Sequence, residues 1–212
     1  MEYQKYESGN SFMKILEWIM TLAYLNILWL GFTLVGFIFF GYGPATIAVY
    51  RLIRKKLRQG DLSHIFKKFR TIYKEEFKQG GIYTAMAFGA ATFLYVDFRI
   101  VEALPQSNLI QLLVIPALLI LTALVIVLAT FTLGYYAEHG GKMIDALKNG
   151  FWVTLISPIS IIVILHAFLL QFFIMSYIPG LFLFFSLTLY AFITEWIMNK
   201  AFKRINVKKK SL

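Results

Sequence analysis

Apolar positions along this chain neither alternate nor keep to a narrow stripe. They form long unbroken runs, and polar residues punctuate them in blocks. Five runs are long enough, or nearly so, to cross a hydrocarbon core of about 30 Å at about 1.5 Å per residue. They cover about 15–40, 81–95, 109–136, 151–175 and 178–199, the second being the shortest. The pattern predicts an all-α polytopic membrane bundle of about five transmembrane helices, one domain over 1–212 with a basic tail at 200–212.

The first run is ambiguous. From Ile15 to Tyr50 it is almost continuous, too long for one span and barely enough for two. Gly41, Gly43 and Pro44 interrupt it; glycine permits unusual backbone angles and proline removes a donor. We expect a span to end there and a shorter helix to follow from about Ala45 to Arg58. A re-entrant hairpin is the alternative. The run also exceeds the apolar region of a signal peptide, so an uncleaved anchor is expected.

Between 41 and 80 the periodicity changes. Gly60 can close one helix and Asp61 can cap the next. Leu62, Ile65, Phe66, Phe69, Ile72, Tyr73 and Phe77 then recur at three- and four-residue steps, a helical apolar stripe. Segment 45–79 is therefore expected as a cytoplasmic amphipathic segment, a connector that lies on lipid and caps the bundle or packs beneath it; a partner-docking surface and a substrate gate are the alternatives. Its candidate contacts are Arg51, Arg54, Lys55, Lys56, Arg58, Lys67, Lys68, Arg70, Lys74 and Lys78 for anionic headgroups, with Phe66, Phe69 and Phe77 on the apolar side.

Charge gives the orientation. Of 21 Lys and Arg, 18 fall in alternate segments, 41–80, 137–150 and 200–212. The positive-inside rule places these in the cytoplasm, so the C-terminus is expected inside and, if the first run crosses once, the N-terminus outside. The net charge of +10 thus reads as topology and lipid contact rather than nucleic-acid binding. Composition narrows the class: 212 residues, 59% hydrophobic, 17% aromatic and 15% charged exclude an ordinary soluble enzyme and a disordered tail. With no cysteine and three scattered histidines, no metal or cofactor is expected.

Few polar residues fall inside the runs. Asn26 is expected to bond across a helix interface and His166 to be a hydrogen-bonded packing residue. Glu195 is expected to form an interfacial ion pair with Lys200 and Lys203 rather than a proton relay. Pro116 and Pro158 can kink their helices. The pairs Ala85/Gly89 and Ala87/Ala91 suit close helix approach, within the chain first and in a homo-oligomer second. Trp18, Tyr83, Tyr95, Trp152 and Trp196 fit an aromatic belt near span ends. Asp97, Arg99 and Glu102 read as a solvated loop. No GxSxG, P-loop or carboxylate cluster is present, so no enzyme is expected.

The strings Leu25-Asn26-Ile27-Leu28-Trp29-Leu30, Gly43-Pro44-Ala45-Thr46-Ile47-Ala48-Val49-Tyr50, Phe66-Lys67-Lys68-Phe69 and Glu76-Phe77-Lys78-Gln79-Gly80 resemble the YesL family of bacterial membrane proteins. Leu147-Lys148-Asn149-Gly150-Phe151 is similar to a weaker family feature. The resemblance implies an all-helical plasma-membrane protein of Gram-positive-type bacteria, often encoded beside oligosaccharide ABC importers and sugar-sensing two-component systems. It carries no catalytic residues. The function expected is a non-enzymatic accessory that binds subunits of a carbohydrate ABC importer or sensor; the alternative is a small oligomeric transporter or channel subunit.

Overall fold

The computed structural model describes residues 11–60, 62–105, 108 and 110–210, and side chains within 12–199. Among the described residues the chain is helical throughout, with no strand. The elements are α1 (Ser11–Val35), α2 (Tyr42–Gln59), α3 (Ile65–Glu75), α4 (Phe77–Ala103), α5 (Ile115–His139), α6 (Met143–Ile156), α7 (Pro158–Tyr177), α8 (Gly180–Phe185) and α9 (Thr188–Lys210). A π-helical turn at Ile110–Val114 leads into α5. Among the described residues, four stretches are long and apolar enough to cross a membrane: Phe12–Val35, Phe77–Ala103, Ile110–His139 and Pro158–Tyr177. Their outer faces carry large exposed apolar side chains, among them Phe93, Leu112, Ile120, Leu170 and Phe172, as a lipid-facing surface requires.

Several boundaries differ from the sequence expectation for local reasons. The second span is longer, because Gly80 does not break it. Gly80 lies inside α4 and meets Gly43 and Pro44 of α2; a Cβ on Gly80 would stand 2.3 Å from the Pro44 nitrogen. The glycine pair serves close crossing of two backbones. The expected fourth span is two helices. Pro158 bars the preceding residue from helical geometry, and Ser157 stands at φ −121°, ψ 62°. Pro116 lies in the first turn of α5, directly after the π-helical turn at Ile110–Val114. The expected fifth run is divided between α8 and α9.

The largest correction concerns α2. It is no surface connector: Gly43 through Tyr50, Leu52 and Ile53 are all buried. Its N-terminal half is apolar on every side, the mark of a helix surrounded by others. α2 packs on α1, α3, α4, α5 and α9. It runs antiparallel to α1, with Trp29 Nε1 donating to Thr46 Oγ1 at one level and Lys56 paired with Glu17 at another. The open ends of this hairpin lie together, so α1 begins at the end of the molecule where α2 finishes. The start of α1 and the end of α2 therefore share one end of the helical bundle. Gly60 does close α2, at φ +80° with its N–H on Lys56 O.

Candidate functional site

α2 carries Arg51, Arg54 and Arg58 at i, i+3 and i+7, which share one face of a helix. Each meets a carboxylate from a different stretch of chain. Arg54 Nε donates to Glu195 Oε2 of α9 at 2.5 Å, its Nη1 to Glu138 Oε2 of α5 at 2.7 Å and its Nη2 to the Gly134 carbonyl at 2.8 Å. Arg58 Nη2 reaches both oxygens of Glu138, at 2.9 and 2.7 Å. Arg51 Nη1 pairs with Glu76 Oε1 at 2.6 Å, and Tyr136 OH donates to Glu76 Oε2 at 2.5 Å. Lys56 projects elsewhere, onto Glu17 and Thr21 Oγ1 of α1 and over the Trp18 ring.

Four cations thus meet four carboxylates. Arg54 is 4% exposed and Glu195 fully buried. An isolated charge in such surroundings would be prohibitive, whereas paired and hydrogen-bonded it is tolerated. α2 is an ionic hub that ties α1, the start of α4, α5 and α9 together.

This arrangement revises the expected contact surface. Arg54 and Lys56 are buried in ion pairs and Arg51 is half-buried in one, so none is available to headgroups; Arg58 is exposed but engaged with Glu138. Phe69 is fully buried; it and Tyr73 pack tilted against Phe32 of α1, the ring centroids 5.1 and 4.9 Å from Phe32. Lys67, Arg70, Lys74 and Lys78 remain exposed, Lys55 and Lys68 half-exposed, and Phe66 and Phe77 are about half exposed. None of these six cations forms an ion pair among the described residues. Lys55, His64, Lys67 and Lys68 line a basic cleft between α2 and α3. The cap expected from Asp61 lies outside the described residues.

The intramembrane polar residues separate. Asn26 is buried and bonds across an interface as expected: its Nδ2 donates to Leu183 O at 2.9 Å and Ser186 Oγ at 3.1 Å, and its Oδ1 accepts from Leu187 N at 3.0 Å. Gln171 Nε2 donates to Ser186 O at 2.5 Å. These two side chains from α1 and α7 take up backbone groups where α8 gives way to α9. His166 faces outward, its Nδ1 2.8 Å from the Ile162 carbonyl of its own helix. Glu195 is ion-paired, with Arg54 as its partner; the side chains of Lys200 and Lys203 lie outside the described residues. Tyr83 is buried, hence no belt residue, whereas Tyr95, Trp152 and Trp196 are exposed. Asp97, Arg99 and Glu102 ride on α4, with Arg99 and Glu102 forming an exposed pair at 2.6 Å.

Glu17, Glu76 and Glu138 were not legible as counterions. The signal was the all-round apolar half of α2, which required the arginines continuing it to be buried as well.

The fold and hub define a helical membrane protein held together by compensated internal charge. Residues 22–98 match the family described as "Protein of unknown function, DUF624". Over 202 residues the chain is 26% identical to Uncharacterized protein YesL of Bacillus subtilis, covering 95% of this chain and 94% of the relative. It is 28% identical over 180 residues to Uncharacterized protein YteU of the same organism, covering 85% and 80%. The chain is thus a homologue of the YesL proteins, the family that its sequence motifs resemble. No solved structure matches it.

Proposed function

We propose that this protein is a non-enzymatic plasma-membrane accessory whose basic α3 face holds a cytoplasmic region of a carbohydrate importer or sensor. The observation that carries this is a contrast in charge. The arginines of α2 are neutralised internally, while Lys67, Arg70 and Lys74 stand exposed without ion pairs among the described residues, beside the exposed Phe66 and Phe77. A cationic face edged with phenylalanine suits an acidic partner surface bounded by anionic lipid. The carbohydrate part rests on what the family resemblance implies.

On this reading the basic end is cytoplasmic, the C-terminus with it, and the N-terminus too, because α1 begins beside the end of α2. A transporter or channel subunit is less well supported. Asn26 is engaged with backbone at the α8–α9 junction and His166 faces outward, so neither lines a polar path.

The test reverses Lys67, Arg70 and Lys74 to Glu together and purifies the tagged full chain from mild detergent. Insertion and yield should persist while importer or sensor subunits vanish from the co-purifying chains. An unchanged set of partners would refute the docking role, and solute flux in liposomes holding this protein alone would favour the transporter.

A further inference from the structure

Residues 83–94 of α4 and 125–133 of α5 line, with α2, α7 and the α8–α9 junction, a half-open cavity of about 610 Å³. Its walls include Ala87, Ala90, Ala91 and Ala129. The Ala87/Ala91 pair of α4 thus faces this cavity. Ala85 and Gly89, the other pair, point outward, and nothing lies within 4 Å of a Cβ on Gly89.

The cavity has chemical character. None of its lining residues among those described is Asp, Glu, Lys, Arg or His, so a charged solute would lose its hydration without compensation. Apolar surface dominates the lining. Yet Tyr42 and Tyr83 stack within it, ring centroids 6.4 Å apart and planes 13° from parallel. Their hydroxyls form no hydrogen bond with any described residue, although Tyr83 is only 5% exposed. Gln171 also lines the cavity, its Nε2 fixed on Ser186 O and its Oε1 without a partner. A predominantly apolar cavity with a few converging polar groups is the usual form of a small-molecule site.

We propose that this chamber binds an uncharged lipid, its hydrocarbon against the alanine-rich walls and its hydroxyl or ester oxygen on the Tyr42 and Tyr83 hydroxyls. Such a ligand arrives through the acyl phase, since α4, α5 and α7 supply most of the wall.

The experiment labels the purified full chain with a long-chain alcohol bearing a diazirine, then maps the modified peptides. Label should concentrate in 83–94 and 125–133 and yield to excess unlabelled alcohol. Ala129→Phe, which projects a ring into the cavity, should weaken this labelling. Tyr83→Phe, which keeps the volume, should weaken binding roughly three- to ten-fold. Ala85→Phe on the outward face should change nothing. Label spread evenly over outward faces, or equally strong in Ala129→Phe, would overturn the proposal. So would equal competition by a long-chain sulfate. Should Ala129→Phe fail to fold, Tyr83→Phe decides alone: full retention of affinity refutes the site.

Discussion

Arg54 uses three of its five donors on three separate protein groups, which makes it the most committed side chain of the hub. Truncating it leaves Glu195 buried and uncompensated, and breaking a buried pair in this way costs about 3–5 kcal/mol. Arg54→Ala should therefore lower the detergent melting temperature far more than Lys55→Ala, whose half-exposed ammonium has no ion-pair partner among the described residues. The double change Arg54→Met with Glu195→Leu should recover much of the loss, because an apolar pair of similar volume removes the stranded charge along with its partner. A double variant no more stable than Arg54→Ala would mean that Glu138 and Gly134 O, not Glu195, carry the contribution. Of these partners, sequence reasoning found Glu195 as an ion-paired residue but assigned it lysines of its own helix. Charge spacing within one helix is visible in a sequence; a counterion 141 residues away is not.

At the level of elements, the crossing of α2 and α4 depends on two glycines. A Cβ on Gly43 would lie 1.9 Å from Gly80 O, and one on Gly80 2.5 Å from Pro44 Cδ. Backbone on both sides leaves little room to relax. Gly80→Ala should destabilise by about 1–3 kcal/mol. Its neighbour Gly81, inside the same helix with nothing within 4 Å of a Cβ, gives the opposite sign: Gly81→Ala should stabilise by about 0.5–1 kcal/mol. Thermal unfolding of both variants in one detergent checks the pair, and equal effects would deny the close crossing. Periodicity revealed α3 well, including the burial of Phe69 and Tyr73. It missed the roles of Gly80 and Pro158, since a glycine or proline reads as a break whether it ends a helix, begins one or lets two helices touch.

For the whole molecule, the hydrophobic runs made the all-helical membrane class plain, because length and apolarity are properties of the sequence itself. Parity was not plain, because it turns on whether the first run crosses or folds back. With α1 antiparallel to α2 and its start beside Lys56, reporters fused at either terminus should both read cytoplasmic, and one inserted after Ala103 should read outside. An N-terminal reporter on the far side would separate Glu17 from Lys56 and refute the hairpin.

The junction of α8 and α9 bears on how the chain is made. Asn26 emerges from the ribosome early, but the carbonyl it serves at Leu183 is 157 residues away. Until synthesis is nearly finished, that amide waits in the nascent protein without its destined companion. Chains stopped after α7 should therefore be recognised as incomplete by membrane proteases. Release of the last helices becomes the step that closes the molecule from its first element to its last.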